Sequence, residues 1–212
     1  MTDDLLERLT RDLRPVKRLD VVRRLGAALT LGAMIALAGV LVLLGPRSDM
    51  ASAITTSMFW VKLAYGCALA GLAAWAIERI SRPAGRAAGR AAWIALPLLV
   101  MFGVAAVKLA VAAPELRHGL LMGASASLCP WRILATASPL YVALIWVMRG
   151  LAPTRLRMAG ALAGLAAGGG GAAAYALHCP ETSAAFVAVW YSAGIASMVI
   201  VGAVSGPRLL RW

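Results

Sequence analysis

The residues of this chain with the most chemistry to offer are its cysteines, of which there are three. Cys67 falls in the middle of a long apolar run, where a lone cysteine usually serves as a small hydrophobe. Cys129 and Cys179 stand instead at the edges of such runs. Cys129 opens one, with Arg132 a helical turn later, and both a helix N-terminus and a nearby cation favour thiolate. Cys179 closes another and follows His178, which can act as a base or as a second metal ligand. Three chemistries fit these residues. In an oxidising compartment the pair can be a structural disulfide, or it can be a reactive thiol pair. Cys129, His178 and Cys179 can also form a soft metal site of two sulfurs and one nitrogen. Neither cysteine belongs to a CxxC pair, which argues against a thiol oxidoreductase.

The elements that must position them are membrane helices. Of 212 residues, 61% are hydrophobic and only 14% charged, with a mean hydropathy of +0.80. A soluble domain carries about a quarter of its residues charged, so lipid must be the solvent for most of this chain. A helix needs about 20 apolar residues to cross the hydrocarbon core. Runs of that kind cover residues 25–44, 58–77, 93–111, 129–148, 158–177 and 185–205. The expected fold is therefore all-α and polytopic, with six transmembrane helices. No cleavable signal peptide is expected, because the chain opens Met1-Thr2-Asp3-Asp4 with no apolar stretch before Leu25.

The net charge of +12 would point to nucleic acid in a soluble protein, but here the basic residues lie between apolar runs and set orientation. One side holds Arg8, Arg11, Arg14, Lys17, Arg18, Arg23, Arg24, Arg79, Arg82, Arg86, Arg90, Arg149, Arg155, Arg157, Arg208 and Arg211. The other holds only Arg47, Lys62, Lys108, Arg117 and Arg132. This asymmetry puts both termini in the cytoplasm and the cysteine pair on the periplasmic side of a bacterial inner membrane. Lys62, Lys108 and Arg132 sit just inside span ends, where long cations snorkel to the headgroups. The alternative is that they gather around a site on that face.

The fourth and fifth spans are joined by the short stretch Arg149–Arg157 and should form an antiparallel hairpin. Cys129 lies 20 residues before Arg149 and Cys179 lies 22 after Arg157, so both return to one height, about 30 Å away. Gly160, Gly164 and Gly168 recur at four-residue spacing, a stripe that lets helix backbones approach closely. The following glycines to Gly171 are a possible bend, and Pro97 and Pro139 possible kinks. A small transporter or channel is the main rival reading. It would place paired charges near the midplane, and the spans carry almost none there.

The N-terminal residues 3–14 read as a short amphipathic helix. Leu6, Leu9 and Leu13 fall on one face with Leu5 beside them, and Pro15 ends it. Its polar face mixes Asp3, Asp4, Glu7 and Asp12 with Arg8, Arg11 and Arg14. A membrane-surface helix would be mainly basic, so docking of the leucines in a protein groove fits better. Residues 1–24 thus form a cytoplasmic partner-binding segment, and 25–212 the membrane domain.

Several stretches of this chain together resemble the NrsF-like family of bacterial polytopic membrane anti-sigma factors. They are Asp4-Leu5-Leu6, Leu9 and Pro15-Val16; Phe59-Trp60-Val61-Lys62-Leu63-Ala64-Tyr65; Cys129-Pro130; and Leu151-Ala152-Pro153-Thr154. The strongest is Tyr175-Ala176-Leu177-His178-Cys179-Pro180-Glu181, followed by Trp190-Tyr191 and the closing Gly206-Pro207-Arg208-Leu209-Leu210-Arg211-Trp212. The resemblance implies a six-span, non-enzymatic regulator that holds an extracytoplasmic-function sigma factor through its N-terminal segment. Leu5, Leu6, Leu9, Leu13, Pro15 and Val16 would make that contact. It further implies release on oxidative or metal stress sensed by Cys129 and Cys179. No resident cofactor is expected, beyond a soft metal ion at the cysteine pair, and no direct contact with nucleic acid.

Overall fold

A computed structural model of the chain describes residues 18–81, 88–151 and 153–211. The expected N-terminal helix, with Leu5, Leu6, Leu9, Leu13, Pro15 and Val16, lies outside the described residues, as do Arg82, Arg86, Ala152 and Trp212. All regular structure among the described residues is helical. The principal helices are α1 (Arg18–Gly39, prolonged by a π-helical turn Val40–Leu44), α2 (Ser57–Ile80), α3 (Ala95–Val111), α4 (Pro114–Met122), α5 (Cys129–Arg149), α6 (Leu156–Tyr175) and α7 (Ala184–Leu209). A π-helical turn Val187–Tyr191 lies inside α7. The helix α4 was not foreseen by the apolar pattern, being too short and too polar to register.

Six spans were expected, and among the described residues four helices are long and apolar enough to cross a membrane: Asp20–Leu44, Ser57–Ile80, Cys129–Arg149 and Ala184–Leu209. The two remaining candidates fall short for different reasons. α3 has 17 residues, about 25 Å at about 1.5 Å per residue, against a core of about 30 Å. α6 has 20 residues, but glycine and alanine dominate it and carry little apolar surface.

That small-residue helix is the centre of the molecule. α6 packs against α7, α2 and α5, and α1 packs on α5. A Cβ at Gly160 would strike the Gly202 carbonyl, and one at Gly164 the Met198 carbonyl, both on α7. A Cβ at Gly169 would come within 2.6 Å of the Gly66 carbonyl on α2, and one at Gly171 within 2.6 Å of the Ala137 nitrogen on α5. Three neighbours thus reach the α6 backbone because side chains are missing, which is how helices associate when lipid is as apolar as their own surfaces. The glycine run does not interrupt α6, so packing, not bending, is its use. Pro97 lies in the first turn of α3, where its missing N–H is one of the unpaired ones anyway. Pro139 stays inside α5.

The outer face is apolar. Val42, Leu43, Val111 and Trp146 are each more than three-quarters exposed, and Cys67 also faces outward. Cys67 is therefore not a core residue: the apolar surroundings its sequence context promised are outside the protein. Exposed tryptophans form two rows. Trp60 and Trp131 lie towards the cysteine end, and Trp75 and Trp146 lie 15 residues further along the same two helices, about 22 Å away. Tryptophan belts at two such levels mark membrane–water boundaries.

Candidate functional site

Cys129 is the first residue of α5. Pro130 follows in the first turn, where the lack of an N–H costs nothing. The turn before it is shaped by Gly123, whose φ of 52° and ψ of −162° belong to a region that only glycine adopts without strain. That turn is held by Glu181. Its Oε1 accepts from Ala124 N (2.7 Å), Ser125 N (3.1 Å) and Ser125 Oγ (3.0 Å). A side chain at position 123 would strike the same carboxylate.

Cys179 lies in the segment between α6 and α7, and cations from three elements are drawn to it. Lys62 Nζ, on α2, donates to the carbonyls of Cys179 (2.8 Å) and Glu181 (2.9 Å). Arg47 Nη1 donates to the Cys179 carbonyl at 3.4 Å, and Arg47 N to the Leu177 carbonyl at 3.3 Å. Arg47 is itself fixed by Asp49 through two bonds of 2.6 Å. That pairing raises the guanidinium's pKa and holds the Asp49 carboxyl below its usual range. Arg132 Nη1, on α5, reaches His178 Nε2 at 3.1 Å.

His178 Nδ1 lies 2.8 Å from the Gly45 carbonyl. A carbonyl only accepts, so Nδ1 carries the proton, and Nε2 is then the acceptor for Arg132. The imidazole is neutral with both nitrogens engaged. This bears on the expected metal site of Cys129, His178 and Cys179. Among the described residues no three His, Cys, Asp or Glu side chains are placed to hold a metal ion. The ligand set is not formed, because the nitrogen it needs is occupied by a guanidinium.

The two thiols are buried at the same end of the helical bundle. Cys129 and Cys179 are both 0% exposed, both free, and members of one buried cluster with Tyr65, Ile133, Tyr175, Phe186 and Tyr191. Cys129 does open α5 as expected, but Arg132 turns to His178 and the sulfur is fully buried. The hydroxyls of Tyr175 and Tyr191 are buried in the same cluster without a hydrogen-bond partner of ordinary geometry. Their rings lie 5.9 Å apart, and that of Tyr175 is 5.8 Å from His178.

The three cations near this face divide. Lys62 does not snorkel; it is 1% exposed and bonded to the loop of Cys179. Arg132 joins the same region, whereas Lys108 is exposed and makes none of these bonds. Arg47 and Glu181 were missed as site residues. A lone acid two residues after Cys179, in a chain so poor in charge, was the signal for Glu181. Nothing local marked Arg47.

Residues 9–212 match the protein family described as Negative regulator of sigma F, NrsF. The chain belongs to this family. It is 39% identical over 170 residues to the probable anti-sigma-F factor NrsF of Azospira oryzae, covering 80% of each chain. It is 42% identical over 175 residues to the anti-sigma-F factor NrsF of Caulobacter vibrioides, covering 80% of this chain and 79% of that one. No solved structure matches the chain. As a member of the NrsF family the protein is a regulator and not an enzyme, which sets aside the oxidoreductase alternative.

Proposed function

We propose that this chain is a membrane-bound anti-sigma factor of the bacterial inner membrane, with six spans and both termini cytoplasmic. Residues 1–24 hold a sigma factor of the extracytoplasmic-function class, with Leu5, Leu6, Leu9, Leu13, Pro15 and Val16 in the contact. Residues 25–212 form the membrane domain. Cys129 and Cys179 are the periplasmic stress sensor. The names carried by the relatives from Azospira and Caulobacter support the sigma-factor partner. α3 and α6 complete the six spans: α3 by local thinning of the bilayer, and α6 because its neighbours shield it from lipid.

One observation carries the coupling between the two ends. The segment bearing Cys179 is bonded to the outer end of α1 through His178 to Gly45 and Arg47 to the carbonyls of Leu177 and Cys179. The inner end of α1 continues into the N-terminal segment. With its π-helical turn, α1 is about 40 Å long. A change at Cys179 therefore acts directly on the helix whose other end presents the sigma-binding leucines.

Under peroxide the two thiols form one disulfide, and their two protons and two electrons reduce peroxide to two waters. Joining the sulfurs draws the 177–181 carbonyls towards α5 and away from Lys62 and Arg47. That biases α1 between two arrangements, as a two-state switch requires.

Sigma-dependent transcription and steady-state protein level should be measured together in C129S, C179S and the double variant, under peroxide and under soft metal ions. Normal protein level, lost induction and no added effect in the double variant support the switch, since groups acting as a unit are non-additive. Loss of the protein itself would make the cysteines structural. Loss of the metal response alone would put coordination in place of disulfide formation.

A further inference from the structure

The described residues contain a second feature that the regulatory reading leaves unused. Between α2 and α3 lies a cleft of about 800 Å³, within the range of sites that bind drug-sized ligands. It runs along α2 from Ser57 to Leu72 and along α3 from Lys108 to Leu96, a length of about 20 Å. Its deep end is apolar, and Ser57, Lys108, Thr182 and Ser183 cluster at one mouth, on the same end of the bundle as Cys129 and Cys179.

Three features narrow the occupant. A depth of about 20 Å is close to one leaflet, half of a core of about 30 Å, so the occupant is one leaflet deep. Along that length the walls are apolar side chains, among them Val61, Leu72, Val100 and Val104, a lining that suits an acyl chain. Finally, Lys108 at the mouth is exposed, makes no hydrogen bond or ion pair among the described residues, and no acidic side chain lines the cleft. A neutral quinone offers that cation no anionic group, and a zwitterion offers a phosphate already balanced by its own ammonium.

We propose that this cleft binds an anionic phospholipid, with acyl chain between α2 and α3 and phosphate at Lys108. Tyr65 links the site to the rest of the molecule. It lines the cleft, belongs to the cluster that holds both thiols, and bonds Ser192 Oγ of α7 at 2.7 Å. The proposal goes beyond the anti-sigma reading and does not depend on it.

The full chain, purified in neutral detergent and supplied with phosphatidylglycerol or phosphatidylethanolamine, should be weighed with its retained lipid by native mass spectrometry. Phosphatidylglycerol should be retained about fivefold over the net-neutral lipid, the equivalent of one cation's attraction at a membrane surface. Lys108→Gln should reduce that preference to near unity, and Lys108→Arg should keep it. Ala68→Trp, which fills the cleft from α2 without touching the mouth, should remove the retained lipid while the circular dichroism remains helical. Equal retention of the two lipids, a preference that survives Lys108→Gln, or preferential capture of free palmitate would each overturn the proposal.

Discussion

Lys62 is the residue whose chemistry changes most between chain and fold. A buried ammonium is expensive unless it is bonded, and this one is held by two carbonyls with no carboxylate on it. Lys62→Met removes the charge but leaves the Glu181 carbonyl without its donor and the Cys179 carbonyl with only Arg47. An unpaired buried acceptor costs about 1–3 kcal/mol, so thermal unfolding in detergent should show a loss of that order. Tyr191→Phe should do the opposite: deleting a buried hydroxyl that makes no hydrogen bond of ordinary geometry leaves stability unchanged or higher. A marked drop in the unfolding temperature of that variant would mean that the hydroxyl is bonded after all. Gly123→Ala should cost about 1–3 kcal/mol through its backbone conformation alone, before the clash with Glu181 is added. The Arg47–Asp49 pair has a pH signature whose sign follows from Asp49. A carboxyl held below its unfolded pKa contributes stability that is complete above about pH 4 and is lost as pH falls through the folded value. The amide protection factors of the 45–49 segment, taken relative to the intrinsic exchange rate at each pH, should therefore be constant between neutral and mildly acid pH and fall only below that range.

Among the elements, α6 sets the packing and α1 carries the proposed output. Gly160→Ala forces α6 off α7, because the new Cβ would meet the Gly202 backbone, which has no rotamer to move. Overpacking of this kind costs about 1–3 kcal/mol. Gly71→Ala is the control, since nothing lies within 4 Å of its Cβ. In the interior of α2 it should gain about 0.5–1 kcal/mol from helix propensity. Equal effects of the two substitutions would show that helix propensity and not backbone contact governs α6. For the proposed docking segment, replacing Leu6 and Leu9 by Ala removes apolar area worth about 1.5–3 kcal/mol per buried leucine. Sigma-dependent transcription should then be constitutive at normal protein level. Full repression by that variant, with derepression on neutralising Lys17–Arg24 instead, would move the contact from the leucines to the basic stretch.

For the whole molecule, orientation and burial can be separated with one reagent. Ser48 and Arg155 are exposed at opposite ends of the bundle. With the proposed topology, a membrane-impermeant maleimide should label S48C in cells whose outer membrane alone is permeable, and R155C only after the inner membrane is opened. In the same pulse Cys129 and Cys179 should stay unlabelled, because both are fully buried, and should react on unfolding. The reverse pattern for S48C and R155C would invert the molecule and leave the cysteine pair facing the cytoplasm.

Much of this was legible along the chain. Apolar run length located every principal helix except α4, because the cost of unpaired backbone in lipid leaves a segment that long little other choice. The spacing of Cys129 and Cys179 about the Arg149–Arg157 turn brought both to one end, since helical rise is nearly constant. The glycine stripe announced close packing because it repeats with the helix. What the chain could not state was which side chains meet across elements far apart in sequence. Sequence left Lys62 between snorkelling and gathering at a site, and His178 between base and metal ligand; the fold sets Lys62 on the 179–181 carbonyls and His178 between Arg132 and Gly45. Those partners lie 46 to 133 residues away. Only the packing of α1, α2 and α5 around the end of α6 decides which donor reaches which carbonyl, and hence that the thiols lie in a closed apolar cluster.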